Sequence, residues 1–438
     1  MGNSEKNKFD RIYSVLKNDW YFSDQVEDLD EELMEQAIEG MTQLEIDPHT
    51  NYFDLQMAQD FASDLEGSNV GLGFLYTKDH DGNFFIREVY MNSGAYQAGL
   101  EAGDIITKID EKTCSETDAE DIVSYIQSKE GKQLDIVYKR GEKEYTTHAM
   151  PSVYDTSVSL RLFKDYAYIS VNSFSEQTGT EFADAMQEVK EQGLKSIILD
   201  LRGNAGGYLY STLEVASSLL PKDSVVFIEK NKEGKEIEKK TVSDFDQVKL
   251  DQIVILQNGN TASASEALIG ALRTHLKSKV TTVGTTTYGK GTEQTQMPFK
   301  DGTSLKYTVA QWLTPDKKSI NEKGFKPDVK VKPETFRSTS YQEMDKDEVI
   351  KKDSVHENAK ALQVYLDYLG YPVSRQDEYF SIESSQSLAK FQKSHELAAS
   401  GDCDMKTWQA LSEEVVLKMS KDGLAKDKQM KKAVEQIK

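Results

Sequence analysis

The 438 residues carry 53 basic and 74 acidic side chains, and the resulting net charge of −21 opposes tight binding to nucleic acid or anionic lipid. Two cysteines, Cys114 and Cys403, and six scattered histidines without an HExxH pair give no thiol or metal centre to build on, so no metal and no cofactor is expected. With roughly 150 residues per domain as a prior, the length is that of about three domains, and 38% hydrophobic content supplies each with a core.

In chain order, residues 1–66 read as a helical unit. Phe9, Ile12, Val15 and Leu16, then Leu33, Met34, Ala37, Ile38 and Met41, recur at three- and four-residue intervals until Asp47-Pro48 breaks the pattern. A scaffold or dimerisation arm is expected. Residues 67–150 change to short β-like runs, Phe84–Val89 and Leu134–Tyr138, around one helix at 118–127. From 151 to 335 strands and helices alternate: strands at 195–200 and 252–256, helices at 208–220 and 265–276. That order predicts a mixed-sheet α/β core with a parallel component. Residues 336–355, with the charged run Glu343–Asp353, read as a linker; 356–415 form a small helical unit and 416–438 a Lys-rich helical tail. The predicted fold class is therefore α/β multidomain, with a β-rich module inserted and helical units at both ends.

Three segments of the α/β core carry chemistry. A serine in Thr261-Ala-Ser-Ala-Ser-Glu266, at a strand-to-helix turn, sits beside unpaired helix N–H groups and the positive end of the dipole. Lys290, between Gly289 and Gly291, lies in a segment too rich in Gly and Thr for a stable helix. Held there and desolvated, its amine would lose its proton more readily and accept one from a serine. Leu199-Asp-Leu-Arg-Gly-Asn-Ala-Gly-Gly207 is a buried strand opening into a loop whose N–H groups stand clear of side chains.

Together these segments resemble the carboxyl-terminal processing (tail-specific) peptidases, whose patterns run LDLRxNxGG, TASASE and FGKGxxQ in this order; the last reads Tyr288-Gly-Lys-Gly-Thr-Glu-Gln294 here. The resemblance implies a serine endopeptidase in which Ser263 attacks the scissile carbonyl, Lys290 takes its proton and Gln294 orients the lysine. Ala264 N–H, with that of Gly206 or Gly207, would hold the oxyanion. Ser265 is the rival nucleophile. Gly203 and Ala205 stand where the family usually has Asn and Pro, and the Ser-to-Lys spacer is longer than common, which leaves open which glycine donates.

Gly71-Leu-Gly-Phe74 and the run Ala98-Gly-Leu-x-x-Gly-Asp104 resemble a PDZ domain. This implies that Gly71, Leu72, Gly73 and Phe74 cradle the terminal carboxylate of a protein or peptide with an apolar C-terminus, and that the module can gate the site. Ala361–Tyr371, Ala389-Lys-Phe-Gln392 and Asp404–Leu411 resemble a peptidoglycan-binding helical fold, which implies cell-wall contact. No run approaches the roughly 18 apolar residues of a membrane span, and Met1–Lys6 has no hydrophobic signal region. By family resemblance an extracytoplasmic homodimer is expected, its signal or anchor lying outside this sequence, with no nucleic-acid partner.

Two other readings compete. Gly284–Lys290 fits the GxxxxGK of a nucleotide-binding loop, but Gly291 stands where the magnesium-binding Ser or Thr belongs and no helix is predicted to follow. A non-catalytic PDZ adaptor on a peptidase scaffold would not need Ser263, Lys290 and Gln294 together.

Overall fold

The computed structural model describes residues 2–242 and 244–437; Met1, Ser243 and Lys438 lie outside the described residues. The chain divides into two compact units. One comprises Met1–Asp64, Ile228–Ile237 and Gly291–Leu313, the other Leu65–Phe227, Glu238–Lys290 and Thr314–Lys438.

The spine of the smaller unit is the strand Ser304–Leu313, which pairs antiparallel with Asn51–Phe53, Thr292–Pro298 and residues 228–231. The N-terminal stretch is thus not all-helical, as expected from its periodicity. Pro48 stops the helical pattern, and the β-prone aromatics Tyr52 and Phe53 are buried in a strand instead. Before it come the helices Gly2–Asn18 and Leu29–Thr42; the second buries none of its residues.

In the larger unit, the β-rich module is an antiparallel sheet of β1 (Phe74–Lys78), β2 (Phe84–Val89), β3 (Ile105–Ile109), β4 (Leu134–Arg140) and β5 (Lys143–Ala149), in that spatial order, with β1 outermost. Alternation puts Phe84, Ile86, Leu134, Ile136 and Tyr138 on one face. There they pack with Ile122 and Ile126 of helix α1 (Ala119–Gln127). The segments entering and leaving the module, Ser68–Gly71 and Ser152–Asp155, pair with each other.

The core sheet runs β6 (Val158–Leu162), β7 (Ala167–Val171), β8 (Ser196–Asp200), β9 (Gln252–Gln257), β10 (Val280–Gly284) and β11 (Val329–Lys330). It is parallel from β7 onward, with β6 antiparallel at the edge. Buried on both faces, β7 and β8 read as continuous apolar runs. Between the strands lie helices α2 (Thr178–Glu191), α3 (Leu209–Ser217) and α4 (Ala264–Leu276).

Three helices, α5 (Ala359–Leu369), α6 (Ile382–Ser394) and α7 (Met405–Asp422), enclose Leu362, Leu366, Phe391, Trp408 and Leu411. The stretch expected as a linker is partly built into this unit: Met344 and Ile350 belong to the same core, and Val349–Ile350 pairs with Cys403–Asp404. The expected tail is no free appendage either. Helix α7 runs on to Asp422, and α8 (Lys428–Val434) lays Met430 and Ala433 on Tyr168, Ile198, Val254 and Val283 of the core sheet. By strand alternation that is the face opposite Ile197, Leu199, Ile253 and Ile255.

Where the module's return strand meets α2, two carboxyl groups are buried together, Glu181 and Asp155. Burial, with the Asp155 charge, pushes the Glu181 carboxyl up to about 9. The folded chain therefore keeps a proton that the unfolded chain releases near pH 4.5, and stability declines as pH rises from there toward 9. At pH 7 the difference costs about 3 kcal/mol. Glu181→Gln, neutral in both states, should unfold at a higher denaturant midpoint than wild type at pH 8 and show a smaller change between pH 5 and 8. Parallel midpoint curves for the two proteins would refute the buried proton.

Candidate active site

The loop after β9 ends at Ser263, the N-cap of α4, with φ 53° and ψ −115°. This is strained backbone for a residue with a side chain, and Ser263 is almost wholly buried. Its neighbour Ala264 is the first helical residue, where a backbone N–H has no partner within the helix. Ser265 is fully buried and its hydroxyl donates to the Asn204 carbonyl at 3.1 Å, so it serves to hold the turn against the glycine loop.

That loop follows β8. Asn204, fully buried, anchors it three ways: Nδ2 donates to the Val171 carbonyl (2.7 Å), Oδ1 accepts the Gly206 N–H (2.8 Å), and its carbonyl accepts the Ala262 N–H (3.0 Å). Gly206 has φ +103°, and a Cβ there would stand 2.8 Å from the Ser263 Cβ and 3.1 Å from the Ala264 nitrogen. Only glycine permits the loop to lie this close to the serine turn. The Gly206 carbonyl accepts from Phe174 N–H at 3.0 Å, so the Gly207 N–H, across the same trans peptide, points the other way.

Lys290 is half-buried at the end of a segment folded back onto this turn. Tyr288 N–H donates to the Thr261 carbonyl (3.0 Å), and Glu322 N–H to the Gly289 carbonyl (2.8 Å). At Gly289, φ +92°, a Cβ would meet the backbone nitrogens of Lys323 and Gly324 at 2.8 Å. No helix follows, the next element being the strand Thr292–Pro298, which removes the nucleotide-loop reading.

What draws the serine and lysine segments together is a residue to which the sequence motifs gave no role. Glu266 is fully buried, and one of its oxygens accepts the N–H of both Ser263 (3.0 Å) and Lys290 (2.9 Å). The other accepts from the Thr287 hydroxyl (2.6 Å) and Gly289 N–H (2.8 Å). Burial raises its pKa above the ordinary carboxylate range, and the four hydrogen bonds oppose the rise. The spacing Ser263-x-x-Glu266 is that of a capping box, the one local signal that could have drawn attention to it. Gln294 belongs to the smaller unit, on the strand Thr292–Pro298, where its Nε2 donates to the hydroxyls of Thr292 (3.0 Å) and Thr308 (3.1 Å).

In the β-rich module the Gly71–Phe74 turn is set by its carbonyls. That of Leu72 accepts from Ala95 N–H (2.7 Å), and that of Gly73 from Tyr90 N–H (3.1 Å) and Ser93 Oγ (3.2 Å). The N–H groups of Gly73 and Phe74 therefore point away from these partners. Gly73 has φ +78°, and a Cβ on it would overlap the Ser93 Cβ at 2.1 Å. Cys114 and Cys403 are free and buried, and among the described residues no group of three His, Cys, Asp or Glu side chains is placed to hold a metal.

Residues 165–331 match the family described as "Peptidase family S41", residues 85–140 a "PDZ domain" and residues 355–411 a "Putative peptidoglycan binding domain". The fold and these matches define a multidomain α/β serine peptidase that carries a PDZ domain. Among curated relatives, a "Probable CtpA-like serine protease" of Staphylococcus haemolyticus is 32% identical over 98% of this chain and 85% of its own length. One of Staphylococcus aureus is 31% identical over 97% and 84%. The solved structure of a photosystem II D1 C-terminal processing protease aligns with 76% of this chain and 94% of its own, at 23% identity and a TM-score of 0.41. The chain belongs to peptidase family S41, with the CtpA-like serine proteases among its relatives.

Proposed function

We propose that this peptidase captures protein C-termini in its PDZ module and cleaves the chain with a Ser–Lys pair. Ser263 Oγ attacks the scissile carbonyl as the Lys290 amine takes its proton; the ammonium returns the proton to the leaving amine, and water then hydrolyses the acyl ester. The observation that carries this reading is Glu266, whose single oxygen gathers the backbone of both residues. Ala264 N–H and Gly207 N–H are the oxyanion donors of choice, because Gly206 N–H is already bonded to Asn204. Gln294 keeps the orienting role that the family resemblance assigns.

Capture is supported by the outermost position of β1, an edge to which an extended peptide can add, and by the outward Phe74 N–H beside it. The module meets α2 through Asn92–Asp184 (2.8 Å) and Tyr96–Glu188 hydrogen bonds, polar contacts of the kind that a gate can release. The test compares an unstructured protein ending in apolar residues with the same chain amidated at its C-terminus. Amidation should lower kcat/KM about tenfold or more, the equivalent of one lost charge-assisted contact. Equal rates would remove C-terminal capture and leave the peptidase chemistry untouched.

The arm, the PDZ module and the peptidase core are read as residues 1–66, 67–150 and 151–335, with the C-terminal helical unit contacting the cell wall in an extracytoplasmic setting. Among the described residues no helix is long and apolar enough to cross a membrane. The apolar side chains Phe9, Ile12, Val15, Met34 and Met41 stand exposed on the two N-terminal helices, and a second copy is the proposed cover. Ile12→Glu with Met34→Glu should then sediment as monomer where wild type sediments as dimer; identical sedimentation would exclude this surface.

A further inference from the structure

In the larger unit, a cleft of about 410 Å³ opens between three parts of the chain. One wall is the face of β1 and β2 turned away from the PDZ core, with Leu75, Phe85 and Arg87. Another is the core, with Arg161, Tyr168 and Arg202. The third is the end of α7 and the tail, with Met419, Lys421 and Asp427. Arg337 completes a set of five cations, against which the lining offers two carboxylates, Glu88 and Asp427. In a protein of net charge −21 this concentration of positive charge is out of keeping with the rest of the surface.

The cations differ in how far they are already used. Arg202 is held by Asp200 (2.6 Å) and Asp427 (2.7 Å), and Arg337 stands 3.4 Å from Glu334. Arg161 donates to the neutral carbonyl of Arg87 at 2.7 Å. Among the described residues Arg87, Arg161 and Lys421 make no ion pair, and Glu88 is turned to the Ser159 hydroxyl (2.5 Å) and Asn172 (3.3 Å). Two half-buried guanidinium groups and an ammonium thus face one space without a counter-ion from the protein. Guanidinium forks match the oxygens of phosphate, and a multiply charged anion would compensate several of them at once.

We propose that this cleft binds a phosphate-bearing anion of about the size of pyrophosphate, held by Arg87, Arg161 and Lys421. Bound there, it touches the PDZ module, the core and the C-terminal helices together, and so adds to direct contacts these parts already make, such as the Arg202–Asp427 pair at 2.7 Å.

Titration calorimetry on the whole protein at low salt tests this with three probes. Inorganic pyrophosphate and glycerol 1-phosphate distinguish a free phosphate from an organic phosphate ester, and acetate reports a single charge. Saturable binding of at least one phosphate probe, and none of acetate, is expected. Arg87→Gln should weaken it at least tenfold, Lys421→Gln by a smaller factor, and Arg87→Lys by less than either, with circular dichroism unchanged throughout. Absence of saturable binding for both phosphate probes, or equal affinity in wild type and the Arg87→Gln/Lys421→Gln double variant, would overturn the proposal.

Discussion

Ser263→Ala should lower kcat for peptide hydrolysis by about four to six orders of magnitude, the loss seen when an activated serine nucleophile is removed. The fold should survive, because alanine fits the same buried turn and Ser263 N–H keeps its bond to Glu266. The backbone supplies a second, independent expectation. At φ 53° and ψ −115° any side chain is strained, by about 1–3 kcal/mol, and glycine is not. Ser263→Gly should therefore be as inactive as Ser263→Ala yet unfold at a higher denaturant concentration. Residual cleavage within tenfold of wild type in Ser263→Ala would show that another group attacks. Lower stability of the glycine variant would show that the turn is not under strain.

Glu266→Gln should be nearly as damaging, though the residue touches no substrate. The carboxylate accepts four hydrogen bonds, two on each oxygen. An amide presents only one accepting end, so two of the four donors would face an NH₂ group. With about 1–3 kcal/mol for each buried donor left unmatched, a loss of roughly 2–6 kcal/mol in stability is expected. Whichever end becomes the NH₂ faces donors of the Lys290 segment, Lys290 N–H together with Ser263 N–H on one side or Thr287 with Gly289 on the other, so kcat should fall about 100-fold through misplacement, with KM nearly unchanged. Wild-type kinetics in a folded Glu266→Gln protein would show that the carboxylate does not position these segments.

Much of the architecture was legible locally. The helix expected at 265–276 is α4, Ala264–Leu276, and the strand expected at 252–256 is β9, Gln252–Gln257, because each carries its own period and its own stop signals. The short strand Asn51–Phe53 was missed, since three residues beside helical periodicity give no pattern of their own, and what makes them a strand is the distant Ser304–Lys306 edge. The charged stretch Glu343–Asp353 departs from a linker for the same reason: Met344 and Ile350 are taken up by the core that α5, α6 and α7 build.

At the candidate site the sequence alone supplied three segments, their order and the residue types that the proposed Ser–Lys pair would need, because turns, glycines and caps are properties of a few adjacent residues. It could not decide between Gly206 and Gly207, which differ only in where each N–H points once Asn204 is buried beneath the loop. Nor could it show that Glu266 joins Ser263 to a segment 24 residues farther along, or that the Lys-rich tail closes one face of the core sheet through Met430 and Ala433. Those relations exist only after burial, since hydrogen bonds and apolar contacts between remote segments leave no periodic trace in either one. They belong to the tertiary structure.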